Sequence, residues 1–372
     1  MPPKLRLPPL PSIASILKIY NVRAKKQLAQ NFLFDPRIIG RMVDCATSDL
    51  TGKHICEVGP GPGGITRSIL NKNAESVSVV EKDWRFIQSL QMLASTTQGR
   101  MKIHHEDIFD FDETIAFPKE EAKPWTESKL PALCFMGNLP FNVSLPLLFK
   151  WLNLISHHSG VYELGRIPAI LTFQQEVGER LVALPKESQR CRLSITAQYL
   201  CHIDYCHTIF GKSFVPPPKV NVAVIRIIPK KQFEIQLPFK TVDHVVKHIF
   251  HFRQKRCRKG IATLFPRSRM DLVDEMIRIS GVNPLERPFN LYMAHFRDLC
   301  YAYQEICDRI PNIALVDTYH NKEWLKYFDE SGEPLNDVLL PKLPEIEDNF
   351  NCKNVEALHE LSDETEQISS LA

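Results

Sequence analysis

The chain reads as an α/β protein with a mostly parallel sheet and helices on both faces, followed by a smaller helical domain. Three observations predict this. Short apolar strands alternate with helical patterns between residues 54 and 173, which is the rhythm of a parallel sheet. The first strand runs into Gly59-Pro60-Gly61-Pro62-Gly63-Gly64, and later strands end in an acid or an asparagine. After about residue 230 the strand rhythm gives way to helical periodicity.

Residues 1–12 contain Pro2, Pro3, Pro8, Pro9 and Pro11, too many for a regular helix. Ser12 is placed to cap a helix through Ile13, Ile16, Leu17 and Tyr20. Asp35-Pro36 opens a second helix, with Pro in its first turn and Ile38, Ile39, Met42 and Val43 at helical spacing. Strands are then predicted at 54–58, 76–80, 101–104, 133–136 and 169–173, with helices at 65–72 and 83–94 between them. Residues 191–228 read as later strands of the same sheet. A helix over 241–265 places Val242, Val245, Val246, Ile249 and Phe250 on one face, and helical pattern continues to about 310. The expected segments are a basic arm (1–34), a main domain (35–230), a helical domain (231–342) and an acidic, disordered tail (343–372).

Charge and composition narrow the function. The net charge of +3 conceals a tail of net −7 and a body of net +10. A basic body suits a polyanionic partner. No apolar run approaches the roughly 18 residues of a membrane helix. The ten cysteines form no Cys-x-x-Cys pair and no zinc spacing, so no metal is expected and the thiols read as free, in a reducing compartment. Before the first acid, Asp35, stand Lys4, Arg6, Lys18, Arg23, Lys25 and Lys26. That start fits a mitochondrial transit segment or an arm touching RNA phosphates.

The strand ends carry the chemistry. A glycine run opening a helix lets the backbone pass close to a ligand, with Gly59, Gly61 and Gly63 as the candidates. Nicotinamide, flavin and S-adenosylmethionine enzymes all use such a loop. Glu81 ends the next strand and can accept ribose hydroxyl hydrogens. Asp107 follows the third and can accept from an adenine amino group, with Ile108 against the ring; a turn-forming role is the alternative.

Asn138-Leu139-Pro140-Phe141 separates methyl transfer from hydride transfer. The N6 of adenine is a poor nucleophile, and two acceptors set against its hydrogens draw it toward a tetrahedral shape. The Asn138 side-chain oxygen is one candidate and the Leu139 carbonyl, held by Pro140, the other. Phe141 can stack on the base, and Phe214, in Phe214-Val215-Pro216-Pro217-Pro218, can cover its other face. Phe214 as a core residue of a proline-rich connector is the competing reading. The densest basic stretch, Lys247–Lys259, offers Arg253, Lys255, Arg256, Arg258 and Lys259 to RNA phosphates, along with Lys25 and Lys26.

With Gln30-Asn31-Phe32-Leu33, Glu57–Gly63, Glu81-Lys82, Glu106-Asp107, Asn138–Phe141 and Phe214–Pro218 in this order, the chain resembles the rRNA adenine N6,N6-dimethyltransferases over about residues 5–310. Leu7–Pro11, Gly59–Ile69 and Phe173–Arg180 resemble the mitochondrial branch. The resemblance implies a Rossmann-like S-adenosylmethionine-dependent methyltransferase sheet. Its implied substrate is two adjacent adenines in the 3′-terminal hairpin loop of small-subunit rRNA. It also implies a cofactor pocket lined by Gln30, Asn31, Leu33, Gly59, Glu81, Lys82, Asp107 and Asn138. The family often has Tyr at the position of Phe141, so a hydroxyl is lost here while stacking is kept. The implied setting is the mitochondrial matrix, with the small ribosomal subunit as partner and the chain acting as a monomer. Members of the branch are also described as mitochondrial transcription factors. The alternatives are therefore a methyltransferase-fold binding module in transcription or ribosome assembly, and an N6-adenine DNA methyltransferase.

Overall fold

The computed structural model describes residues 7–10, 31–310 and 313. The helix expected from Ser12, the acidic tail, Lys25, Lys26 and Gln30 lie outside the described residues.

The central sheet has seven strands: β2 (His54–Val58), β3 (Ser76–Val80), β4 (Met101–His104), β5 (Leu133–Gly137), β6 (Ala169–Gln174), β7 (Cys201–Ile209) and β9 (Val222–Pro229). Their order is β4-β3-β2-β5-β6-β9-β7. The first five are parallel, while β9 and β7 run antiparallel to their neighbours. The inner strands are apolar on both faces, as burial between two helical layers requires: Ile55, Cys56, Val77, Val79, Phe135 and Met136 are all buried. A separate two-stranded ribbon pairs β1 (Phe32–Leu33) with β8 (Phe214–Val215), with Leu33 opposite Phe214.

Helix α1 (Pro36–Asp44) starts as expected: the Asp35 side chain accepts from Arg37 N at 2.8 Å, and Pro36 occupies the first turn. Helix α2 (Gly64–Asn71) follows the glycine loop, and α3 (Trp84–Ala94) is capped by Asp83, which accepts from Arg85 N. Helix α4 (Phe141–His157) follows β5, and α5 (Gln175–Val182) follows β6.

Two expectations need correction. Residues 191–228 are not all strand: Arg192–Gln198 forms a helix, α6, with Leu193, Ile195 and Ala197 buried. At seven residues it is too short to display a helical period. Its place is set by distant partners, chiefly a two-pronged ion pair of Arg192 with Asp243 at 2.6 and 2.8 Å. The helix expected over 241–265 is broken. Helix α7 (Phe239–His251) stops, residues 252–256 turn, and α8 (Cys257–Ile261) starts afresh. Gly260 makes the return possible, because a Cβ there would sit 2.5 Å from the Ile249 carbonyl oxygen. Helices α9 (Met270–Ser280) and α10 (Met293–Arg309) complete the described chain.

The chain divides into two compact units. One contains the sheet strands; the other contains Arg180–Leu200 and the residues from Gln232 onward. A boundary drawn only near residue 230 therefore misses an excursion. Arg180–Leu200 joins the helical unit through the Arg192–Asp243 pair and through Lys186 N, which donates to the Phe289 carbonyl at 2.9 Å. Among the described residues no helix is long and apolar enough to cross a membrane.

Candidate active site

Strands β2 and β5 are parallel neighbours, yet the chain leaves β2 for β3 on one side and β5 for β6 on the other. Open parallel sheets form a ligand crevice at such a reversal, beyond the strand C-termini. The glycine loop emerges there from β2 and Asn138–Phe141 from β5. A cleft with about 280 Å³ of empty space is lined by Asn31, Phe32, Gly59, Gly61, Glu81, Asn138 and Pro140. A neighbouring hollow includes Leu33, Pro62 and Gly64. At Gly61 φ is +53°, and a Cβ would lie 2.9 Å from the Phe32 ring; only glycine leaves the loop backbone this close to the cleft. Arg67 of α2 braces the loop by donating to the Pro62 and Gly63 carbonyls at 2.9 and 2.8 Å.

Two carboxyls lie beneath this loop. Glu81, at the end of β3, accepts from Gly61 N at 2.9 Å and Asp83 N at 2.8 Å, one bond on each oxygen. Each oxygen keeps a lone pair for a ligand hydroxyl. Burial pushes its carboxyl up to about 6, against the pull of those amides. Glu57 is fully buried, with its Oε2 accepting from the Thr66 hydroxyl at 2.6 Å and its Oε1 without a partner among the described residues. Burial pushes it up to about 8. At neutral pH Glu57 therefore holds its proton, so the loop rests over one carboxylate instead of two.

Asn138 is held from both ends. Its Nδ2 donates to the Asn31 carbonyl at 2.9 Å, and its Oδ1 accepts from the Thr172 hydroxyl at 3.0 Å. Because a carbonyl can only accept, the Asn31 contact fixes which end of the amide is nitrogen. Oδ1 retains one acceptor site. The Pro140 carbonyl is taken up by Val143 N and Ser144 N in the first turn of α4, whereas the Leu139 carbonyl accepts no hydrogen bond among the described residues. Leu139 buries its side chain beside Gly59. Phe141 is half-buried, with one side against the core.

The structure does not bring all the candidate residues to the cleft. Lys82 is exposed and paired with Asp107 at 2.5 Å. The other Asp107 oxygen accepts from Phe109 N at 3.1 Å, the turn-forming arrangement weighed from the sequence. Ile108 is buried. None of these three lines the cleft itself. Gly63 is the αL residue before α2. Phe214 is corrected outright: at 2% exposure it belongs to the main core beside Leu33, so its ring is not available to a base.

The basic segment is also resorted. Arg253 is half-buried, donates to the Arg190 carbonyl at 3.0 Å and packs over Phe289. Arg258 is ion-paired with Asp274. Lys255, Arg256 and Lys259 are exposed. Two contributors were missed in the sequence. Phe32 lies within a quoted motif but had no role. Thr172, mid-strand among apolar residues, signals itself only by being a hydroxyl in a buried run.

A family model described as "Ribosomal RNA adenine dimethylase" matches residues 21–292. "Dimethyladenosine transferase 1, mitochondrial" of Xenopus laevis is 46% identical over 337 residues, 90% of this chain and 97% of that protein. The Homo sapiens protein of the same name is 44% identical, over 86% of this chain and 92% of its own length. Among solved structures, a dimethyladenosine transferase from Plasmodium falciparum superposes with a TM-score of 0.56 at 23% identity, covering 74% of this chain and 98% of that one. The 23S rRNA methyltransferase ErmE gives 0.52 at 19% identity, covering 74% and 100%. At those identities the two structures speak for the fold alone. The family match and the long, similar relatives agree with the order of the strand-end motifs, and the chain belongs to the ribosomal RNA adenine dimethylase family.

Proposed function

We propose that this enzyme, a mitochondrial S-adenosylmethionine-dependent rRNA adenine N6,N6-dimethyltransferase, acts on two adjacent adenines in the 3′-terminal hairpin loop of the small-subunit rRNA, in the matrix and as a monomer. The observation that carries the catalytic reading is the Asn138 amide, fixed by Asn31 and Thr172 at the rim of the cleft it shares with Glu81.

The residues present fit the cofactor. The glycine loop gives backbone approach, and Glu81 supplies two acceptor oxygens for ribose hydroxyls. Bound S-adenosylmethionine supplies a methyl group already activated as a sulfonium. In the first transfer Asn138 Oδ1 and the Leu139 carbonyl accept the two N6 hydrogens of the target adenine, aiming its lone pair at the methyl group; in the second, one of them holds the single hydrogen that remains. Phe141 offers a ring face to the base. Positioning accounts for the catalysis: the methylated nitrogen is a cation and strong acid that sheds its proton to solvent, so no strong base is required. Because N6 is out of reach in a stack, the adenine must be extruded or already unstacked. Exposed Lys255, Arg256 and Lys259 are proposed to contact phosphates. The intact Asn138–Glu81 cleft favours catalysis over a binding-only role in transcription or assembly.

The test is primer extension across the rRNA hairpin in cells depleted of the protein and re-supplied with wild type or Asn138→Ala. Wild type should restore the polymerase stop at dimethylated adenines and Asn138→Ala should not. An unchanged stop in depleted cells would overturn the substrate assignment.

A further inference from the structure

Cys45 closes helix α1, and Cys206 lies in strand β7. Strand β7 carries a bulge: Tyr205 faces Ile225 and His207 faces Val224, which leaves Cys206 as the extra residue. A bulge re-aims side chains that strict alternation would send to opposite faces. Here Cys206 and His207 both meet Cys45. The two thiols interact, Cys45 Sγ lies 3.7 Å from Nδ1 of His207, the residue next to Cys206, and Cys45 Sγ donates to the Arg41 carbonyl at 3.4 Å. Arg226, ion-paired with Asp204 at 2.8 Å, donates to the Cys45 carbonyl at 3.4 Å. Both cysteines are half-buried and rest against the main core.

None of these residues serves methyl transfer. Their arrangement makes the two thiols unequal. Contact with Cys45 and the positive charge of Arg226 hold the Cys206 thiol below its ordinary range, while the same contact and burial raise Cys45. The thiolate is the nucleophilic form, and peroxide attacks where thiolate character meets access.

We propose that Cys45 and Cys206 form a peroxide-oxidised dithiol site, with Cys206 attacking and Cys45 resolving. The Cys206 thiolate attacks hydrogen peroxide: an S–O bond forms, the O–O bond breaks, and the departing hydroxide takes up the proton released by Cys206. Sulfur is oxidised to the sulfenic acid and peroxide is reduced to water. Cys45 sulfur then displaces the sulfenic hydroxyl, which leaves as water with the Cys45 proton. Two thiols and one peroxide become one disulfide and two waters. The bond ties the end of α1 to the bulge of β7.

The test treats the reduced full-length chain with hydrogen peroxide, alkylates the remaining thiols and maps peptides without reduction. The expected result is a linked Cys45–Cys206 peptide pair, about 2 Da lighter than the two thiol peptides together, that dithiothreitol separates. In Cys45→Ser a dimedone adduct should accumulate on Cys206, and in Cys206→Ser Cys45 should remain alkylatable. Loss of both thiols without the linked pair, or cross-linking of either to another cysteine, overturns the proposal. So does full alkylation of both after peroxide. If a serine variant fails to fold, the wild-type map decides alone.

Discussion

The cleft and the basic segment were read from equally suggestive sequence, and they fared differently. At the cleft, each motif sits at a strand end. A parallel sheet delivers its strand ends to one edge, so Gly59–Gly63, Glu81 and Asn138 converge whatever the loops do. The basic segment was read as one face of one helix. The chain instead breaks at 252–256, and the five cations divide into a half-buried brace (Arg253), an ion-paired arginine (Arg258) and three exposed side chains. Topology protects a reading built on strand ends. A reading built on periodicity fails where one close contact, such as Gly260 on Ile249, redirects the chain.

Asn138→Ala is the sharpest way to break the first half of this comparison. It should lower kcat by about 10²–10³, the scale of losing one preorganised polar contact, measured as single-turnover methylation at saturating S-adenosylmethionine. Retained turnover would remove the amide from the mechanism.

Phe214→Ala should act on the fold. Emptying a buried aromatic site costs about 3–5 kcal/mol, read as a lower denaturation midpoint. A stable variant with weak RNA methylation would restore Phe214 as a base contact.

Glu81 ties the cleft to pH. In its proposed role as ribose acceptor its carboxyl must be ionised, and burial holds it at about 6. Cofactor affinity should be level above that pH and fall by up to about tenfold per unit below it. Glu81→Gln should bind weakly and show no such slope. For the cofactor-free chain the sign is opposite. A carboxyl raised on folding adds stability below its unfolded value of about 4.3, and that stability is lost as pH rises through about 6. Affinity that is flat through pH 6 would discharge Glu81 from the pocket.

The smallest effect belongs to the basic segment. Replacing Lys255, Arg256 and Lys259 with Ala should weaken RNA binding and flatten its salt dependence by a slope of about 2 on logarithmic axes, since about 0.7–0.9 is lost per phosphate contact. Arg253→Ala should instead lower stability by about 1–3 kcal/mol, by stripping the buried Arg190 carbonyl of its donor. The reverse outcome would reinstate the single-face reading.

Most of the sheet and the place of Asn138–Phe141 at a strand end were legible because their signals are local: alternating strands, a glycine run, an Asn-Leu-Pro-Phe run. Phe214 was not, because its direction is set by pairing with Leu33, and register cannot be read from one strand. Thr172 and Phe32 escaped for a related reason. Their roles exist only through residues far away in the chain, Asn138 for one and the Gly61 backbone for the other. The short helix Arg192–Gln198 and the bulge at Cys206 likewise depend on partners that no window of sequence contains.

The bond from Asn138 to the Asn31 carbonyl has one further consequence. Asn31 directly precedes β1, whose Phe32 walls the cleft beneath the glycine loop. The amide proposed to orient adenine is therefore indexed to the same short strap that walls the proposed seat of the methyl donor. Lifting that strap would remove one of the two bonds that fix the amide and leave Thr172 alone to hold it. In the proposed reaction, donor seat and acceptor aim thus behave as an interlock: the side chain proposed to orient adenine keeps both of its bonds only while the wall of the other substrate's chamber is in place.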